Sequence, residues 1–154
     1  MKQKKKILID LDVVTVALWD FKEEALKFID RVKRGEFEVY APYVLIELVS
    51  EWKHSELRKK IIEFYNLYAI KISTIETVNI AKEIGIDYTS VIKQLEENGV
   101  KEEDAILVFT ASIFNLDYLV SFNKIHLINK KDSINEILKK NKMEEIKIES
   151  PIFI

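Results

Sequence analysis

The chain has 154 residues, 48% of them hydrophobic, with 24 lysines and arginines against 26 aspartates and glutamates, the profile of one compact domain, 1–154, with a sizeable core. This near balance of charge excludes bulk, sequence-blind attraction to nucleic acid, while leaving room for a local basic patch. With no cysteine and only two histidines, the chain offers no disulfide, no thiolate metal site and too little imidazole for zinc, so any metal is held by oxygen.

The opening MKQKKK before an apolar run has the look of a secretory leader, but Asp10 and Asp12 interrupt what would have to be an uncharged segment. No stretch is long and apolar enough to span a membrane, and the cytoplasm is the expected compartment. Ile7 to Ile9 reads as a buried strand. Val13 to Trp19 and Lys22 to Arg34 read as helices, the second with Phe21, Ala25, Phe28, Ile29 and Val32 at helical spacing and Gly35 at its C′ position. Phe37 to Tyr40 is a short β-rich run, and Pro42 suits the first turn of a helix continuing through Trp52. Leu57 to Tyr68 is a further helix, Ala69 to Ile72 a strand, and Ile75 to Ile84 and Tyr88 to Glu97 are helices, the latter ended by Asn98-Gly99. Glu102 to Phe114 is almost wholly apolar after its first turn, which predicts a helix buried on most sides. Tyr118 to Val120 is a strand, Ser133 to Lys140 a helix and Ile146 to Ile148 a last short strand. Strands alternating with helices, without hairpin turns, predict a three-layer α/β/α fold around a mostly parallel sheet of four to five strands. Lysine gathers at Lys2 to Lys6, around Lys53 to Lys60, and at Lys130, Lys131, Lys139 and Lys140, as solvated faces or tails do.

Polar residues interrupt apolar runs at four places. In KILIDLDVVTV, Asp10 and Asp12 stand one residue apart, and a buried carboxylate needs a cation, a hydrogen bond or water. A helix N-cap accounts for Asp12; two such residues need only one cap, which leaves Asp10 at the carboxyl end of a parallel strand, where α/β sheets place their ligands. Glu47, in YVLIELV, lies opposite the stripe of Leu45, Leu48, Val49 and Trp52 but is flanked by Val44 and Ile46, which argues against simple hydration; Glu51 follows one turn later. Asp104, in KEEDAILVFTA, borders the buried part of its helix, whose N-terminus is expected to hold it ionised, whereas dipole complementation suffices for Glu102 and Glu103. Asn123, in DYLVSFN, follows the second convincing strand and also suits a turn. Convergent carboxylates without imidazole or thiolate suit a hard cation, magnesium or manganese, which takes oxygen ligands and keeps several waters.

The order of these residues resembles the PIN-domain family of small metal-dependent nucleases, which includes the VapC toxins of toxin–antitoxin pairs. ILIDLDVV is similar to the family's opening strand, VYAPYVLIEL to its second motif, EEDAILVFTA to its third and DYLVSFN to its fourth. The resemblance implies an endoribonuclease that hydrolyses RNA phosphodiester bonds with magnesium or manganese. Asp10, Glu47 and Asp104 would be its metal-site acids, Asn123 a fourth catalytic residue, and Asp12 and Ser121 supporting positions. It also implies an RNA substrate, an antitoxin protein as partner and a homodimer, with the lysines near Lys53 to Lys60 steering the RNA backbone. His126, in NKIH, matches an Asn-x-x-His sequence of some members and equally suits a half-buried loop. Leu11 replaces a small polar residue common in the family, and Asn123 replaces an acid, which removes a negative charge while keeping a carbonyl oxygen. Two other readings stay open. A haloacid-dehalogenase-like phosphatase shares the strand followed by Asp-x-Asp, but Val13 and Val14 stand where its Gly-Thr belongs, and Glu103-Asp104 precedes the Ser motif instead of following it. A catalytically degenerate PIN-like module that binds RNA or protein is compatible with Leu11 and Asn123.

Overall fold

The computed structural model describes residues 3–154; Lys2 of the first lysine cluster lies outside them. In chain order the elements are β1 (Lys5–Ile9), α1 (Leu11–Leu18), α2 (Glu23–Lys33), β2 (Phe37–Pro42), α3 (Tyr43–Ser50), α4 (Ser55–Tyr68), β3 (Ala69–Ile72), α5 (Thr74–Glu83), α6 (Tyr88–Glu97), α7 (Glu102–Ile113), β4 (Tyr118–Val120), α8 (Lys131–Lys140) and β5 (Ile148–Glu149). Single 3₁₀ turns at Ile128–Lys130 and Pro151–Phe153, which the apolar pattern does not mark, complete the set.

All five strands are parallel, in the order β3-β2-β1-β4-β5. From β1 the chain steps outward to β2 and β3, then returns across the sheet to β4 and β5. Right-handed crossovers place α1 to α4 on one face and α5 to α8 on the other, and the helices pack in those two groups, α1 on α2 and α4, α6 on α7 and α8. The direction of winding therefore reverses between β1 and β4. Ile7, Leu8 and Ile9 of β1 are fully buried, as expected of a central strand covered on both faces. Register between β1 and β4 is fixed at both ends. Asp117 takes the Lys6 backbone N–H on Oδ2 at 2.8 Å and donates its own N–H to the Lys6 carbonyl at 2.7 Å; at the far end the Asp10 N–H donates to the Val120 carbonyl at 2.9 Å.

Several boundaries differ from the sequence expectation by one or two residues, for local reasons. Helix α1 starts at Leu11 instead of Val13, so its N-cap is Asp10 and not Asp12. Pro42 ends β2 and stands at the N-cap of α3, its φ of −67° serving both conformations. The last strand begins at Ile148 because Asn135 of α8 clamps the backbone of Ile146, its amide donating to the Ile146 carbonyl at 2.9 Å and its oxygen accepting the Ile146 N–H at 2.8 Å. Helix α6 closes at Gly99 as a Schellman motif: Gly99, at φ +86°, donates to the Glu96 carbonyl and Val100 to that of Leu95. This turn aims the chain into α7, which is buried along Ala105 and from Leu107 to Ser112. Among the described residues no helix is long and apolar enough to cross a membrane.

Candidate functional site

The winding reversal leaves the carboxyl ends of β1 and β4 side by side with nothing crossing above them, the position at which open α/β sheets form a crevice. Asp10 and Asp12 follow β1, and Ser121, Phe122 and Asn123 follow β4. Ser121 is fully buried; its hydroxyl donates to Asp10 Oδ2 at 2.8 Å and lies 3.4 Å from Asp12 Oδ2, while accepting the Asn123 N–H at 2.9 Å. Asp10 Oδ1 accepts the Leu11 N–H at 2.7 Å, and both oxygens of Asp12 accept the Phe122 N–H at 3.2 Å. The two strand ends are thus tied together through side chains beyond the last ladder bond.

Helix α7 delivers the third carboxylate. Asp104, in its first turn, is 8% exposed, as is Asp10. The Asn123 amide donates to Asp104 Oδ2 at 3.2 Å, and Asn123 Oδ1 accepts the His126 N–H at 3.0 Å, closing a turn. The His126 ring pairs through Nδ1 with the Gly99 carbonyl at 3.1 Å, so the loop before α7 and the loop after β4 hold one another. Beneath the floor, the fully buried Tyr65 of α4 donates to the Ile9 carbonyl at 2.8 Å.

Around these residues lies a cavity of about 410 Å³, lined by the polar Asp10, Asp12, Glu103, Asp104 and Asn123, by Leu11, Thr15, Val16 and Trp52, and by Lys101. Its three aspartates titrate high. Burial raises Asp10 despite its bonds from Ser121 and Leu11; burial and then the charge of Asp10 push Asp12 up to about 7; burial, Asp10 and Glu103 push Asp104 up to about 6, against His126 and Lys101. The helix N-terminus does not lower Asp104, because desolvation and two neighbouring carboxylates outweigh it, but at about 6 its carboxyl is still mainly ionised at neutral pH. Among the described residues none of Asp10, Asp12 and Asp104 forms an ion pair.

Glu47 does not join them. It is exposed on the face of α3 that carries Tyr43, Ser50 and Glu51, all exposed, and it does not line the cavity. Residues 43, 47, 50 and 51 form the solvent stripe of that helix; Ile46 points about 100° away from Glu47, and Val44, one turn back on the adjoining face, is half-buried and leaves it exposed. Glu103, which dipole complementation alone explains in the sequence, also lines the cavity, and Trp52, half-buried, both packs against the core as expected and forms part of the cavity wall. Three successive acids at a helix start fan out over one turn, so adjacency to Asp104 was the available signal for Glu103.

The donor set is one of oxygens. Among the described residues no three His, Cys, Asp or Glu side chains group closely enough to form a complete metal cage. Two carboxylates without an ion-pair partner, Asp10 and Asp104, lining one cavity fit instead an ion that keeps most of its own waters, as magnesium does.

No family model matches the chain, and no curated protein does. A solved structure does: the crystal structure of VapBC2 from Rickettsia felis bound to a DNA fragment from their promoter, with a TM-score of 0.59 at 12% sequence identity over 94% of this chain and 98% of the matched chain. At that identity the likeness is one of architecture. With its five parallel strands flanked by helices and its crevice at the β1/β4 switch point, the chain has a PIN-like fold.

Proposed function

We propose that this chain is a metal-dependent endoribonuclease in which Asp10 and Asp104 hold magnesium or manganese and Asp12 supports them. One observation carries the reading. Three carboxylates from two distant parts of the sequence are gathered into one cavity, all raised by burial and Asp12 and Asp104 also by the charge of Asp10, with no ion pair to any of them among the described residues. Such an arrangement is costly to the metal-free protein and is relieved by a cation. A bound divalent ion supplies a polarised phosphoryl oxygen and an acidified water for attack on phosphorus.

The chain's own residues do the rest. Ser121 fixes the plane of Asp10, and Asn123 fixes that of Asp104 while its carbonyl holds the loop bearing His126. Lys101, in the cavity wall, meets the negative phosphate of an incoming strand. The VapBC2 likeness supports a toxin–antitoxin setting with an antitoxin partner, and a homodimer belongs to the same reading. The exposed position of Glu47 favours a second reading, a PIN-like module that binds RNA without cutting it. Incubation of the protein with structured RNA and manganese, alongside Asp10→Asn and Asp104→Asn, decides between them: metal-dependent cleavage lost in both variants supports the nuclease, and wild-type protein that binds RNA without cutting it supports the module.

A further inference from the structure

At about 410 Å³ the cavity is larger than an ion and its waters fill, a water's share of liquid volume being about 30 Å³. It falls instead in the range of sites that enclose an organic group, roughly 300–1,000 Å³. Its lining is mixed in kind: beside the carboxylates stand Leu11 and Val16 of α1 and Trp52 from the turn between α3 and α4. The acids account for a metal and a phosphate, and leave these apolar residues without a role.

The backbone of Trp52 is held at both ends: its backbone N–H donates to the Val49 carbonyl at 2.9 Å, and Arg58 of α4 donates from Nη1 to the Trp52 carbonyl at 2.6 Å, while its half-buried side chain packs against the core. The next residues along the turn are basic or aromatic: Lys53 and His54 are exposed, the His54 ring meets Trp19 edge-on at 4.4 Å, and Lys60 Nζ lies 5.6 Å from the centre of the Trp19 ring. Lys101 stands in the cavity wall beside Trp52, and Lys53 follows Trp52 in the chain, charges complementary to a polyanion.

We propose that Trp52 is a stacking platform for the base of the nucleotide whose phosphate lies at Asp10 and Asp104, and so a positioning residue for the substrate strand. This rests on the nucleolytic reading of the same cavity for the identity of the phosphate site. Aromatic faces bind bases of any sequence provided the base is free of its duplex neighbours. The nucleotide at Trp52 is therefore unpaired, and a larger purine covers the ring better than a pyrimidine.

The test uses the full chain and a series of short single-stranded RNAs, each with one abasic position, in Trp52→Phe and Trp52→Leu proteins shown by circular dichroism to be folded. Leu keeps apolar bulk without a ring face; Phe keeps the ring. Binding is read by anisotropy and cleavage separately, with manganese. The expected result is that one abasic position, adjacent to the cleaved bond, weakens wild-type and Trp52→Phe binding by about tenfold, and that Trp52→Leu binds all the RNAs equally at the weakened level. Cleavage by wild type with no abasic position sensitive to the Leu variant overturns the platform and leaves the nuclease standing. Binding that depends on Trp52 without any cleavage supports the platform and removes the nuclease. An absence of both overturns the two together.

Discussion

The Ser121 hydroxyl donates to Asp10 Oδ2 at 2.8 Å across the gap between two neighbouring strand ends, and is fully buried there. One small side chain thereby orients a carboxylate from residue 10 and, through the Asn123 N–H it accepts, the amide that reaches Asp104. Ser121→Ala removes the donor to Asp10 and leaves the Asn123 N–H unpaired. We expect a stability loss of about 1–3 kcal/mol by urea unfolding and a fall of about 10- to 100-fold in manganese affinity or cleavage, as when other supports of metal ligands are removed. Ser121→Thr, which restores the hydroxyl, is expected to recover part of both. Equal activity in Ala and wild-type protein would show that Asp10 is positioned by Leu11 alone.

Asp10→Asn and Asp104→Asn are expected to act in opposite directions on stability and activity. Neutralising either acid relieves a buried charge repelled by its neighbour, so the metal-free variants should melt above wild type near neutral pH, by on the order of 1 kcal/mol once solvent screening is allowed for. Cleavage should fall by about a hundredfold or more, since removing a ligand costs at least as much as removing its support. Calorimetry without metal and a cleavage assay with it check the pair; variants that melt lower than wild type and still cut would refute the site.

The pH dependence of the metal-free protein has a definite sign. The carboxyls of Asp12 and Asp104 are raised in the fold from 3.8 to about 7 and about 6. Between those limits the folded chain holds protons that the unfolded chain has released, so these groups make folding less favourable as pH rises through the window. Thermal midpoints without metal should therefore be higher at about pH 5 than at about pH 8 as far as this site decides them. Magnesium or manganese should reverse the trend, stabilising more at the higher pH, where its ligands are free of protons. A metal-induced shift independent of pH would place the ion on other groups.

Much of this architecture is legible in the sequence because its signals are local. The runs 69–72, 88–97 and 118–120 have the expected bounds, since each is an apolar pattern closed by a turn residue or a cap. Asp10, Asp12, Ser121 and Asn123 are legible as neighbours because strand ends in a parallel sheet share one edge. What is not legible depends on rotation about a helix axis. Glu47 reads as enclosed from Val44 and Ile46, but on a helix the preceding residue points about 100° away and one three places back only borders the same face, and only packing decides which stripe faces water. The same ambiguity hid Glu103 and Trp52, whose roles follow from where the start of α7 and the end of α3 meet the cavity.

That rotation makes a contrast between two glutamates measurable. Glu103 lines the cavity and raises Asp104, whereas Glu47 is exposed and outside it. Glu103→Gln should weaken metal binding several-fold and lower the pH at which metal begins to stabilise the protein, because the charge on Asp104 loses a repelling neighbour. Glu47→Gln should change cleavage and metal affinity by less than Glu103→Gln does. Titration calorimetry with manganese on the two variants decides it, and a larger loss for Glu47 would mean that α3 turns its solvent stripe toward the metal when RNA or an ion is bound.

Asn123 offers the sharpest test of how many charges the cavity accommodates. Its amide is 3.2 Å from Asp104 Oδ2, and its carbonyl oxygen accepts the His126 N–H. Asn123→Asp keeps an acceptor for His126 but replaces a donor to Asp104 with a like charge in the same place. The metal-free variant should be less stable at neutral pH by about 1–3 kcal/mol, the cost of losing the bond and adding repulsion. Its melting temperature should respond more steeply to manganese than that of wild type, since an ion now relieves one more carboxylate. Destabilisation without a steeper metal response would mean that the oxygen at residue 123 faces the loop and not the ion, and that two acids, Asp10 and Asp104, complete the protein's share of the coordination.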